Sequence, residues 1–221
     1  MTPERQEQLP SILDSIIQSR CTTKALSETP WSTGEEPSFD LKPILKAADA
    51  APFHKPIPRD SKKGDLQGHQ PWRCYHLDAK QCRKLRKKIL ELGNTTKIPQ
   101  MLAVAEYMIQ TTWIPNPSDS ATEQLFEPSI QNMEHIAAAS SAVQNMLLAA
   151  TARKIPNYWS SGGILRSEEI QNLLGIPTHE ILIGSIFLFP KDLNGAVTSY
   201  GSLHHCRGSI DTWARPVVIS D

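Results

Sequence analysis

The chain has no surplus of charge of either sign. Lys plus Arg is 23 and Asp plus Glu is 23, so the formal net charge is zero. A protein whose main work is gripping nucleic acid or an anionic membrane needs an excess of positive charge, so both classes are disfavoured. A local basic pocket for one phosphate stays compatible with this balance. Long apolar runs are also missing: no stretch approaches the roughly 18–20 apolar residues that span a bilayer. Met1 to Gln18 carries Glu4, Arg5 and Glu7 and has neither an apolar core nor a small-residue cleavage site, so no secretory signal is expected. Cysteine is sparse and scattered, at Cys21, Cys74, Cys82 and Cys206, with no CxxC pair. Such spacing predicts free thiols and a reducing, cytoplasmic setting, not a disulfide framework. Cys74-x-His76 with Cys82, or His205-Cys206, lacks the paired spacing of a structural zinc site, so no metal is expected. The Walker A, GxGxxG, G-x-S-x-G and HExxH patterns are all absent, which removes support for the common phosphate-loop, hydrolase and zincin readings.

What is present is an ordinary globular balance over 221 residues, 39% apolar and 21% charged. We read one domain over 1–221, with an insertion loop at about 56–69 and a variable excursion at about 115–130. Leu9, Ile12, Leu13, Ile16 and Ile17 fall at helical spacing, with Pro10 suited to a first turn. Residues 41–51 read as a short helix stopped by Pro52. Trp72 to Leu77 alternates and reads as a strand, after which Asp78 caps a basic helix to about Leu92. Met101 to Ile109 reads as a buried strand. Asn132 to Lys154 is the strongest helix, apolar on several sides and ended by Pro156. Ser167 caps a short helix closed by Gly175, and Ile181 to Phe189 reads as a strand. The remainder reads as a tail. Helices and strands mix without strict βαβ alternation, which favours an α+β fold.

Three clusters could carry chemistry. Arg20-Cys21-Thr22-Thr23-Lys24 combines two cations with two hydroxyls on a short turn, a grip for phosphate or carboxylate. The plainer reading is a cationic helix end complementing the dipole. Tyr158-Trp159-Ser160-Ser161-Gly162-Gly163 follows the strongest helix. Its small residues let backbone approach a flat ligand and offer N–H donors, although a simple connecting loop would look the same. His204-His205-Cys206-Arg207 is a late polar cluster that either adds cations to a phosphate site or forms an exposed turn. The run Lys80 to Lys88 has six basic residues among nine. Leu85 and Ile89 give that segment an apolar side, so it reads as a solvated helix face.

Taken in order, these segments resemble the FMN-dependent nitroreductase family. Arg20 to Lys24 resembles its N-terminal phosphate motif. Ala51-Pro52-Phe53-His54-Lys55, completed by Gln70-Pro71-Trp72-Arg73, resembles its A-P-N-H-K and P-W-R-F segment. Ala142-Val143-Gln144-Asn145-Met146-Leu147-Leu148-Ala149-Ala150 resembles its central-helix motif. Tyr158-Trp159-Ser160-Ser161-Gly162 and Leu173-Leu174-Gly175-Ile176-Pro177 resemble the loop and the L-L-G-L-P run that follow. The resemblance covers about residues 9–215. This chain departs from the pattern by roughly ten extra residues between Lys55 and Gln70. The Asn that the family often carries near the flavin has no counterpart, and the match after Phe189 is poor.

The resemblance implies a nitroreductase-like α+β fold, a mostly antiparallel central sheet flanked by helices. It implies a homodimer with FMN at the subunit interface, and NADH or NADPH as hydride donor to flavin N5. A nitroaromatic, quinone or similar small-molecule acceptor would then be reduced by a ping-pong route. The cofactor-binding residues it implies are Arg20, Cys21, Thr22, Lys24, Pro52, His54, Lys55, Gln70, Tyr158, Trp159, Ser160, Ser161, Gly162, His205 and Arg207. No protein side chain need act as nucleophile or acid–base pair, because the flavin carries the redox chemistry. Two alternatives stand beside this reading: an FMN store or sensor without turnover, and a same-fold flavoenzyme that dehalogenates or fragments the flavin. The loop 56–69, anchored between segments expected to face the flavin, can act as a lid or reshape the acceptor pocket, the plainer reading being a solvent-exposed excursion of no consequence.

Overall fold

The computed structural model describes residues 3–34, 36–58, 66–116 and 125–219. Helix α1 spans Pro3–Ser19 and leads into strand β1, Thr23–Leu26; helix α2 covers Lys42–Asp49. Strand β2 (Trp72–Asp78) runs directly into α3 (Ala79–Glu91), followed by α4 (Lys97–Leu102) and β3 (Tyr107–Trp113). The long α5 spans Ile130–Ala152 and precedes β4, Asn157–Ser160. A 3₁₀ turn at Gly163–Arg166 leads to α6 (Glu168–Leu173), β5 (Ile181–Leu188) and β6 (Val197–Tyr200).

Four strands form an antiparallel sheet in the order β2-β3-β5-β4, and β1 pairs with β6 as a separate two-stranded ribbon. The sheet is covered on both faces. Helices α2 and α5 pack on one side, with Ile44, Ala139, Val143 and Met146 meeting Ile109, Ile186 and Leu188. Helices α3, α4 and α6 cover the other, where Leu85, Ile89, Leu102 and Ile170 meet Met108, Leu182 and Phe187. Being covered on both faces, β3 is buried at every position. Two of the polar side chains it carries are partnered: Thr112 Oγ1 donates to the buried carboxylate of Glu180, which also accepts from Tyr75 Oη of β2 (2.9 Å), and Gln110 Oε1 accepts from Ser185 Oγ.

The caps follow the chemistry read from the sequence. Asp78 accepts from the Gln81 N–H (2.7 Å), and Ser167 accepts from the Ile170 N–H (3.3 Å). Gly175 turns the chain at φ +66°, a conformation costly for other residues.

Several expectations are corrected. Helix α1 begins at Pro3, so Pro10 lies inside it, where it cannot donate to the Gln6 carbonyl. The run 101–109 is not one strand. Thr96 caps α4 by accepting from the Ile98 N–H (3.4 Å), so Met101 and Leu102 are helical and β3 starts at Tyr107. An apolar run buried on all sides has no periodicity to separate helix from strand. Residues 23–26 and 157–160 are strands, not turn and loop, and the expected tail contains β6 and 3₁₀ turns at Ser202–Cys206 and Ile210–Thr212. The three strands are four residues each and gain their identity by pairing with segments elsewhere in the chain, so local pattern says little about them.

Candidate functional site

The ribbon brings the two ends of the sequence together. Register aligns Thr23 with Tyr200 and Lys24 with Ser199, and the Gly201 N–H donates to the Thr22 carbonyl (3.0 Å). At Gly201 the approach is close: a Cβ there would stand 3.0 Å from Thr22 Cβ. The result is a cleft of about 410 Å³ lined by Arg20, Thr22, Lys24, Tyr158, Tyr200, Gly201, Ser202, Leu203 and Arg207. That volume is within the ordinary range for small-molecule sites.

Its donor set is one-sided. Arg20, Lys24 and Arg207 supply positive charge and Thr22 and Ser202 supply hydroxyls, while none of its described lining residues is a carboxylate. Lys24 Nζ stands 4.8 Å from the centroid of the Tyr158 ring, so one face of that aromatic is engaged by the cation. Such a cleft suits an anion carrying several acceptor oxygens, phosphate foremost.

Tyr158 begins the second predicted cluster. Strand β4 ends at Ser160, which aligns with Ser185 of β5. The indole of Trp159 lies across Gly184, where a Cβ would stand only 2.0 Å from Nε1 and 2.7 Å from the Ser160 carbonyl oxygen. Beyond Ser160 the chain turns outward. Gly162 takes φ +107° and Gly163 φ +51°, and the Gly162 N–H donates to Ser160 Oγ (3.2 Å). Ser161 and Gly163 are exposed while Gly162 is buried. The structure thus carries a turn of small residues next to the strand that lines the cleft.

Of the predicted residues, Arg20, Thr22, Lys24, Tyr158 and Arg207 line one cleft. Cys21 and His205 are exposed on segments bordering it, and Trp159, Ser160, Ser161 and Gly162 continue from Tyr158. Pro52, His54, Lys55 and Gln70 are not among the cleft's lining residues. They lie after α2, where Gln70 Nε2 donates to Asp49 (3.0 Å) and the Phe53 ring meets Trp72 edge-on (5.8 Å). In the loop 56–69, residues 59–65 lie outside the described residues. Its two ends are joined by the Ile57 N–H donating to the His69 carbonyl (3.1 Å), and Leu66 lines a groove against β2 and α6 away from the cleft. In the excursion 115–130, residues 117–124 likewise lie outside the description. Sequence reasoning missed Tyr200, Gly201 and Ser202. Their signal is the weak strand 197–200, which reads as a site only once it is paired with β1.

The thiols divide by burial. Burial pushes Cys74 up to about 11 and Cys82 up to about 12, whereas Cys21 and Cys206 are exposed. Among the described residues no cluster of three or more His, Cys, Asp or Glu could hold a metal ion, and no helix is long and apolar enough to cross a membrane.

Solved structures share this fold. A nitroreductase-like family protein from Bacillus cereus superposes with a TM-score of 0.60 at 18% identity, over 93% of this chain and 95% of that one. A nitroreductase with bound FMN from Bacteroides fragilis gives 0.53 at 16% identity, over 94% and 98%. At such identity the likeness is one of fold. No curated protein matches the sequence. The model of the Nitroreductase family matches residues 17–188, more than three quarters of the chain and including β1, β4 and β5. The fold is nitroreductase-like and the chain belongs to the Nitroreductase family.

Proposed function

We propose that this protein is an FMN-dependent oxidoreductase that passes hydride from NADH or NADPH to a nitroaromatic, quinone or similar small acceptor by a ping-pong route. The observation that carries the reading is the carboxylate-free cleft in which Arg20, Lys24 and Arg207 converge with Thr22 and Ser202. Membership of the Nitroreductase family and the FMN held by the Bacteroides fragilis nitroreductase support it. The residues fit the cofactor. The three cations and two hydroxyls would hold its phosphate, and the Tyr158 to Gly162 segment would border its ring. When bound, FMN supplies the hydride acceptance and donation at N5.

The chain's own part is binding, orientation and charge. The three cations and the hydroxyl donors would fix the phosphate end. The backbone N–H of Ser161 would stabilise negative charge developing on the reduced ring, that of Gly162 being taken by Ser160 Oγ. The family resemblance implies that Pro52, His54, Lys55 and Gln70, which do not line the cleft of their own chain, would reach the flavin from a partner subunit. A homodimer is supported by uncovered apolar surface. The α1 stripe of Leu9, Ile12, Leu13 and Ile17 is exposed, as are Ile130 and Met133 on α5 and Trp213, Val217, Val218 and Ile219 near the C-terminus. An obligate interface would bury upwards of about 2,000 Å².

The test is direct. Purified protein should be yellow, and the released flavin should chromatograph as FMN; light scattering with flavin bound should give twice the 24.6 kDa chain mass. The holoprotein should oxidise NADH or NADPH with a quinone or nitroarene as acceptor. FAD in place of FMN, or protein that takes up no FMN, would overturn the proposal. Bound FMN without turnover would favour a storage or sensor role, and dehalogenated or flavin-derived products would favour the other chemistries.

A further inference from the structure

We infer that Arg166 is a positioning residue for the Ser161–Gly162 turn, holding the Ser161 backbone donor in place for the flavin. The inference rests on the flavin reading above. It starts from where strand pairing stops. Strand β4 pairs with β5 only from Asn157↔Leu188 to Ser160↔Ser185, yet β5 continues back to Ile181. Along that remaining half, β3 pairs on one side and no described strand pairs on the other. The register with β3 also shifts here, at Thr111/Thr112, which leaves Ile183 without a paired residue on β3.

The Arg166 guanidinium takes the place of the missing strand. Nη1 donates to the Leu182 carbonyl (2.6 Å), Nη2 to the Ile183 carbonyl (3.4 Å) and Nε to the Ser161 carbonyl. One planar fork thus joins the chain leaving β4 to the unpaired stretch of β5. Only arginine has donors in a fixed geometry that can span three carbonyls. The side-chain stem closes the same joint. A Cβ on Gly162 would stand 3.1 Å from Arg166 Cγ and 2.8 Å from Leu182 Cδ2, so the glycine is required by what covers it as well as by its φ.

The inner side of the turn is held independently. The Leu165 N–H donates to the Gly162 carbonyl (2.9 Å), and the Leu165 carbonyl accepts from buried Gln110 Nε2 (3.4 Å), whose Oε1 accepts from Ser185 Oγ. Loss of Arg166 therefore frees the Ser161 peptide, while Gly162 stays held by its N–H on Ser160 Oγ and its carbonyl on the Leu165 N–H, and the 3₁₀ turn stays seated. With a glycine following it, the freed Ser161 peptide samples more conformations, and a donor that must meet a ring atom within about half an ångström loses its aim.

The experiment compares wild type, Arg166→Ala and Arg166→Lys. In FMN-free protein, amide exchange of the segment 158–165 should accelerate at least tenfold in Arg166→Ala, while β3 exchanges as in wild type. With FMN added, affinity should stay within about threefold, because the cleft cations are untouched. The visible spectrum of the bound flavin should shift, and the rate of its reduction by NADH or NADPH should fall at least tenfold. Arg166→Lys, able to reach one carbonyl but not three, should recover part of the rate. Unchanged exchange in 158–165 would overturn the clamp. A wild-type flavin spectrum and reduction rate in Arg166→Ala would overturn its role toward the flavin. Affinity lost as far as in Arg20→Ala would place Arg166 in the phosphate grip and overturn the positioning role. Should Arg166→Ala fail to fold, Arg166→Lys carries the same readouts. Wild-type protein that binds no FMN would overturn the flavin reading itself, and the exchange measurement would still decide the clamp.

Discussion

The four-stranded sheet and the two-stranded ribbon are built to opposite specifications. Strand β3 is buried at all seven positions and β5 at six of eight, with helices on both faces. In the ribbon, β6 is exposed at three of four positions and carries Val197 and Tyr200 at 71% and 70% exposure. Yet the ribbon, with the segments on either side of it, holds Arg20, Thr22, Lys24, Ser202 and Arg207. The sheet holds the buried core and the ribbon lines the cleft proposed to hold the ligand. This is the division expected when binding groups need to shed water and adapt while a scaffold stays fixed.

A core substitution in the sheet should show the largest effect on stability and almost none on binding. Ile109 is fully buried between β3 and α5, so Ile109→Ala should cost about 2–5 kcal/mol in urea unfolding. The fraction that remains folded should bind FMN within about threefold of wild type. A large loss of affinity would show that cleft and sheet are one energetic unit.

The converse is Arg20→Ala, in the segment just before β1. A charge-assisted contact to phosphate is worth about 1.5–3 kcal/mol, or roughly ten- to a hundredfold in FMN affinity. Unfolding free energy should change by no more than about 0.5 kcal/mol, since Arg20 is only partly buried. Equal affinity in flavin titrations would remove Arg20 from the phosphate grip.

The same division governs what could be read from sequence. The long helix α5, the capped α3 and α6, and strands β2 and β5 follow from periodicity, Asp78, Ser167 and Gly175. Those are local signals with local causes. The ribbon was not legible, because Val197–Tyr200 has no apolar alternation to bury and gains its identity only by pairing with Thr23–Leu26, more than 170 residues away. The cleft was half legible: Arg20 to Lys24 and Tyr158 stood out by residue type, and Arg207 by family pattern. Tyr200, Gly201 and Ser202 did not stand out. Arg166 gave no signal, since an exposed arginine after two glycines looks like solvated surface until its three carbonyl partners are seen.

A pH experiment sharpens the comparison on the sheet side. Burial pushes the Cys82 thiol from 9.0 up to about 12. The folded state therefore keeps a proton that the unfolded chain releases above about pH 9. The stability this contributes is complete below pH 9 and is lost as pH rises towards 12, at up to about 1.4 kcal/mol per pH unit. Cys82→Ala removes the group. Its deficit against wild type should be widest at neutral pH, from the cavity it leaves, and should narrow between pH 9 and 10.5. A deficit that stays constant over that range would mean the thiol titrates alike in both states.

The smallest effect expected is on α3, where positive charge is densest but stands apart from the cleft. Lys87 is 79% exposed on its side chain and faces Glu91 at 4.0 Å, one turn away. An exposed pair of this spacing contributes about 0.3–0.5 kcal/mol and fades with added salt. Lys87→Ala should therefore lower unfolding free energy by no more than that, with the difference vanishing in high salt. FMN affinity should be unchanged, because Lys87 is not among the residues that line the cleft. Measured beside Arg20→Ala, this variant separates a built anion site from a general positive field. Both remove one cation, but only Arg20 stands with two other cations and two hydroxyls around one cleft. A tenfold loss of FMN affinity in Lys87→Ala would mean that long-range charge, and not the local geometry of the ribbon, holds the phosphate.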